Sequence, residues 1–208
     1  MAQPALDAEG ASVMSGRASP KEEFEVYGRN LQAAIAAADF TPVETLARAL
    51  QACWDAGNWV YLCGNGGSAG NAIHLANDFV YGAGGGKRPG MRAQALPANS
   101  AVLTCLANDL DYSEIYSVQV RTFCKPGDIL IVLSGSGNSP NIVKAVEAAN
   151  ELGVQSFGIL GYSGGKAKAL VSTPIHFAVD DMQIAEDLQL IVGHMIMQWL
   201  NRTASGEG

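Results

Sequence analysis

The sequence predicts an α/β fold: a doubly wound, five-stranded parallel sheet flanked by helices, with two extra helices at its N-terminal end. Three observations carry that prediction. Trp59–Cys63 and Asp128–Leu133 are apolar runs of strand length, as strands covered on both faces require. Each run is followed by a Gly/Ser-rich turn and then a helical pattern, the order of a parallel crossover. The alternation of strand and helix signals then continues to the end of the chain.

Taken in order, Lys21 to Ala56 is helical. Phe24, Tyr27, Leu31 and Ile35 recur at three to four residues, and Leu46, Leu50 and Trp54 repeat the spacing. Thr41-Pro42 divides the two runs, with Thr41 as N-cap and Pro42 at the first helical position. Two helices before the first strand exceed what one small sheet needs, and they could pack on partner subunits. The strand Trp59–Cys63 leads through a glycine turn to a helix from Ser68 to Tyr81. A glycine segment, Gly82 to Gly86, precedes a short strand over Arg92–Leu96. Asp128–Leu133 is the strongest strand, followed by a helix from Ser139 to Leu152. A strand over Ser156–Leu160, a short helix over Gly165–Leu170, a strand over Ile175–Val179 and a helix over Ile184–Leu200 complete the pattern.

Composition narrows the function. The 208 residues suit one domain with a full core. The net charge of −7 argues against a nucleic-acid surface, which needs clustered Lys and Arg. It leaves open a small phosphate ester, which backbone N–H groups and hydroxyls can hold. There is no apolar run of membrane-spanning length, so no membrane partner is expected. Residues 1–20 lack a basic segment followed by an apolar one and read as a flexible leader rather than a secretory signal. Residues 203–208 read as a polar tail. Cys53, Cys63, Cys105 and Cys124 show no CxxC spacing and read as buried, reduced thiols of a cytoplasmic protein.

In a doubly wound sheet, ligands bind beyond the carboxyl ends of the strands, so the two polar turns are where chemistry is expected. The first is Gly64-Asn65-Gly66-Gly67-Ser68. Its glycines allow close approach of backbone to ligand, and the following helix offers free N–H groups to an anion. It does not complete GxGxxG, and no acidic residue ends the next strand, so a dinucleotide is not indicated. The second is Ser134-Gly135-Ser136-Gly137-Asn138-Ser139, with three hydroxyls before a helix. Capping by Ser139 would explain one of them; a phosphate cradle explains all three. No GxxxxGK[ST] is present, which excludes a P-loop.

Titratable side chains follow the first turn. His74 and Asp78 are four apart on one predicted helix and share a face, which suits acid–base work or a divalent metal. Glu186 and His194, on the last helix, are eight apart. That is about 12 Å along an ideal helix, so either Glu186 lies at an irregular helix start or the two serve sites completed by different subunits.

With these residues in place, Cys63-Gly-Asn-Gly-Gly-Ser68 and Leu133-Ser-Gly-Ser-Gly-Asn-Ser139 resemble the two signature turns of the SIS (sugar isomerase) domain. The likeness is nearest to the phosphoheptose isomerases and runs from about Lys21 to Trp199, with the single domain placed at 21–202. It implies interconversion of sedoheptulose 7-phosphate and glycero-manno-heptose 7-phosphate through an enediol. It also implies a homotetramer with active sites at subunit interfaces. By resemblance, Ser68, Ser134, Ser136 and Ser139 meet the phosphate and hydroxyls, with Asn65, Gly66, Gly135, Asn99 and Gln183 completing the substrate site. Asp78 and His194 stand where the family has its base and acid. His74, Asp78, Glu186 and His194 match four groups that bind zinc in some members.

This chain departs from that pattern. Asp78 replaces a Glu, Glu186 a Gln, and Asn99 and Gln183 stand where acidic residues are usual. The Gly82–Gly86 loop lacks the family's arginine, although Arg88 is retained. His176 matches no catalytic position and reads as structural. Two alternatives to the heptose enzyme stay open at this stage. One is an isomerase for a different phosphosugar. The other is a branch of the family that works without catalysis, as a partner of the bacterial replication initiator.

Overall fold

In the computed structural model, which describes residues 18–204, five strands form one parallel sheet. They are β1 (Trp59–Gly64), β2 (Arg92–Ala95), β3 (Ile129–Ser134), β4 (Gln155–Leu160) and β5 (Thr173–His176), in the order β2-β1-β3-β4-β5. The chain runs outward from β1 to β2 and then crosses back to β3. The point where direction reverses therefore lies between β1 and β3, and a ligand crevice opens there. Both polar turns follow these two strands.

Alternation along the strands divides the core. Val60, Leu62, Ile129, Ile131, Leu133, Phe157, Ile159 and Ile175 point to one face, where α2 (Thr41–Asp55), α3 (Gly67–Asn77) and α8 (Met182–Ala204) cover them. Tyr61, Cys63, Leu130, Val132 and Leu160 point to the other, under α5 (Ser117–Phe123), α6 (Pro140–Glu151) and α7 (Gly165–Leu170). Every residue of β3 is buried, as its unbroken apolar run requires.

Several elements differ from the sequence expectation. The helix expected to Tyr81 is regular only to Asn77. It continues as one π-helical turn over Asp78–Gly82, closed by Ala83 N–H to the Asp78 carbonyl at 3.0 Å. Thr41 is not the N-cap of α2. It is already the first helical residue, and its N–H donates to the Asp39 carboxylate at 2.9 Å. Asp128 precedes β3, because its buried carboxylate accepts from Trp59 N–H at 2.9 Å and Lys125 N–H at 3.0 Å. β5 starts and ends earlier than expected. Two helices, α4 (Ser100–Asp109) and α5, lie where sequence periodicity assigns none. α5 is too short to repeat an apolar spacing, and no residue of α4 is buried.

Of the two N-terminal helices, α2 packs on the sheet through Val43, Leu46, Ala47, Leu50, Cys53 and Trp54. α1 (Pro20–Ala36) buries no residue and leaves Phe24 74% exposed. It is held to α8 by the Tyr27 hydroxyl, which donates to Asp187 at 2.5 Å. Desolvation and that carboxylate push the phenol up to about 12. Most of the expected leader and the end of the tail fall outside the described residues, although α8 continues to Ala204. No helix among the described residues is long and apolar enough to cross a membrane.

Cys53, Cys63 and Cys124 are buried free thiols, but Cys105 is exposed on α4, where its thiol donates to Asp109 at 3.4 Å. Burial pushes the Cys53 thiol up to about 11 and that of Cys124 to about 12. The Asp109 carboxylate raises Cys105. Thiolate is the reactive form. A disulfide-exchange chromophore should therefore titrate one thiol in the folded protein, faster as pH rises, and three more only after denaturation.

Candidate active site

The first turn is fastened on every side. Gly66 takes a positive φ of 55° to reverse the chain into α3. The Asn65 side chain forms a reciprocal amide pair with buried Asn141 of α6, at 2.9 and 2.8 Å. The Tyr112 hydroxyl also donates to Asn65 at 3.3 Å, and the Tyr116 hydroxyl donates to the Gly64 carbonyl. From above, α8 closes the turn. Gln189 Nε2 donates to buried Ser68 Oγ at 3.0 Å, and its Oε1 accepts from Asn71 at 3.0 Å. The Glu186 carboxylate lies on the bare Cα of Gly67, where a Cβ would meet Oε2 at 2.3 Å. Ser68, expected to contact substrate, is thus engaged within the fold.

The second turn keeps hydroxyls available. Ser134 Oγ, buried, accepts from Gly137 N–H at 3.0 Å and shapes the turn from inside. Ser136 Oγ accepts from Asn138 N–H at 3.2 Å. Ser139 sits at the N-cap of α6 but makes no side-chain capping bond. The half-exposed Ser136 and Ser139 therefore face outward beside the helix N-terminus, where an anion is favoured. The loop after β4 braces the turn through Gly161 N–H to Gly135 O at 3.0 Å, and α7 does so through Ala167 N–H to Gly137 O at 2.9 Å. The Met182 sulfur lies against Gly135.

The third feature joins residues 120 apart in sequence. His74 Nε2 and His194 Nε2 are 2.9 Å apart, and each is 3.4 Å from Asp78 Oδ2. The rings meet edge to face. Gly193 makes the approach possible: a Cβ there would lie 2.1 Å from Leu75 Cδ2, so the bare helix surface admits Leu75 of α3. Glycine inside a helix costs about 1 kcal/mol relative to alanine, and here it is required for close packing.

Of the four expected metal-binding residues, His74, Asp78 and His194 converge, while Glu186 lies at Gly67 and does not join them within one chain. Two imidazoles and one carboxylate are a donor set that suits zinc. The two 3.4 Å spacings to Asp78 suit neighbouring ligands of one ion about 2.1 Å from each, whereas the 2.9 Å between the imidazoles is shorter and is that of a hydrogen bond. Asn99 caps α4, its side chain accepting from Val102 N–H at 3.3 Å. Gln183 is exposed at the start of α8. His176 is tied to the Tyr162 carbonyl at 2.8 Å and Lys168 Nζ at 3.1 Å. Sequence reasoning missed Gln189, Asn141, Tyr112 and Gly193. Amide and phenol side chains carry no periodicity, so only Gly193, a glycine inside a strong helical pattern, gave a signal.

Residues 23–161 match the family model described as "SIS domain". A phosphoheptose isomerase from Desulfovibrio desulfuricans is 37% identical over 175 residues, 82% of this chain and 81% of that protein. The chain belongs to the phosphoheptose isomerase family of SIS-domain proteins. Another member, from Akkermansia muciniphila, is 37% identical over 164 residues, covering 79% of this chain and 86% of the relative. The solved phosphoheptose isomerase of Francisella tularensis superposes with a TM-score of 0.81 at 25% identity, over 89% of this chain and 100% of that one. That of Neisseria gonorrhoeae gives 0.79 at 25% identity, over 88% and 99%.

Proposed function

We propose that this SIS-domain protein is a phosphosugar aldose–ketose isomerase acting on sedoheptulose 7-phosphate. The observation that carries the reading is the convergence of His74, Asp78 and His194 within 3.4 Å of one another in a chain that also holds a serine-lined turn at the sheet's switch point. Isomerisation moves a proton between adjacent carbons through an enediol, which needs a base at carbon and an acid at the carbonyl oxygen. Asp78 takes the proton from carbon, and His194 Nε2 gives and recovers the proton at oxygen. Ser136, Ser139 and the first N–H groups of α6 hold the phosphate, with Ser134 and Gly135 shaping the turn. With zinc bound, His74, Asp78 and His194 would hold the ion through these same converging atoms, and the ion, in place of the His194 proton, would polarise the carbonyl.

Dimensions favour a site shared between copies. Met182, over the second turn, and His194 are twelve residues apart on α8, an axial rise of about 18 Å. From its reacting carbons to its phosphorus an extended heptose phosphate spans roughly 10 Å, at the ~1.2 Å advance per bond of an extended chain. One copy's turn would then work with another copy's acid–base cluster, in the homotetramer that the family resemblance implies. The exposed Phe24 face of α1 supports this, as does an apolar cavity of about 290 Å³ lined by Phe40, Val43, Met195 and Trp199. The three buried, reduced thiols fit a cytoplasmic setting.

The deciding experiment incubates the protein with sedoheptulose 7-phosphate in deuterated water, with zinc and with chelator, alongside light scattering. The expected result is an aldose phosphate, deuterium at C1 or C2, and a mass several times the 21.7 kDa of the chain. No exchange in either condition refutes the activity, and a monomer refutes the shared site.

A further inference from the structure

The chain has two anion-ready turns side by side, since β1 and β3 are neighbours and adjacent strands lie about 4.8 Å apart. The available hydroxyls of Ser136 and Ser139 favour the second turn for the phosphate, whereas Ser68 of the first is engaged by Gln189. Glu186 acts against the first turn as well. Its carboxylate lies over Gly67, at the N-terminus of α3, where a free helix end would otherwise attract an anion. It makes no hydrogen bond or ion pair with the described residues, so its negative charge is not neutralised by the fold. Its position is firm: the Glu186 carbonyl accepts from Asn71 at 2.9 Å, and Gln189, one turn on, is bonded to Ser68. The second turn carries no such carboxylate and offers Ser136 and Ser139 instead.

From this we infer that Glu186 is a specificity-determining residue that makes the site selective for sugar monophosphates over bisphosphates, an inference that rests on the isomerase reading above. A phosphate on the second turn leaves the sugar lying across the first. There the carboxylate repels a second phosphate. Charge repulsion of this kind, across a few ångströms at a partly buried site, is on the order of tenfold or more in affinity.

The test is titration calorimetry on the full chain and on Glu186→Gln, which keeps the side chain's volume, with Glu186→Ala as a second variant. The ligands are sedoheptulose 7-phosphate and sedoheptulose 1,7-bisphosphate. The expected result is that the natural protein prefers the monophosphate by about tenfold or more. Both variants should bind the bisphosphate about tenfold tighter, with monophosphate affinity changed less than about threefold. An unchanged preference in both variants, with monophosphate still bound, overturns the role of Glu186 and leaves the isomerase reading standing. Binding of neither ligand by any of the three proteins overturns both.

Discussion

Exchanging His194 for asparagine is expected to lower kcat for sedoheptulose 7-phosphate by about a thousandfold, within the range that general acid–base groups contribute. His194 is half-exposed, and among the described residues its Nε2 meets His74 and Asp78 alone. Its loss therefore removes a proton carrier without opening a buried cavity. Asparagine retains a polar group there but cannot exchange protons near neutral pH. KM should change by less than about threefold, because the turn proposed to hold the phosphate does not include His194. Deuterium incorporation should fall in step with turnover, and any zinc taken up at the proposed site should fall as well, since one of three converging donors is gone. Turnover within tenfold of the natural protein would remove His194 from the proton path.

The second large effect is expected at a residue that touches no substrate. Gly193→Val should reduce turnover by about ten- to a hundredfold, since misplacement of reacting groups by about 1 Å can cost that much. A Cβ at this position would fall 2.1 Å from Leu75 Cδ2, and Leu75 is itself only 1% exposed, in the core between the two helices. α3 and α8 must then separate at the level where His74 and His194 meet. Overpacking of this kind costs about 1–3 kcal/mol, which lowers Tm by roughly 2–10 °C for a chain of this size. Gly193→Ala should do less, because the gain in helix propensity of about 1 kcal/mol offsets part of the clash. Thermal melts and kinetics on the same samples separate the two effects. Unchanged Tm together with full activity in the Gly193→Val variant would show that the helices tolerate the wider spacing.

Much of this protein is written locally. The strands and turns of β1 and β3 follow from apolar runs ending in glycine and serine, because a buried parallel strand and a tight reversal each place demands on consecutive residues. The pairing of His74 with Asp78 is local too, since one helix sets a four-residue spacing on one face. Where periodicity is short or absent, local reasoning stops. The seven-residue α5, the wholly unburied α4 and the π turn at Asp78 illustrate the limit.

What tertiary structure alone decided is which distant residues meet. The strand order set the two turns side by side, and the bare surface of Gly193 brought His194 to His74 across 120 residues. The same packing engaged Ser68 with Gln189, laid Glu186 on Gly67 away from the His74–Asp78–His194 cluster, and left Cys105 outside the core. Composition and spacing constrain what a segment becomes. Contacts between segments depend on how closely whole faces can approach, and that is a property of the packed molecule.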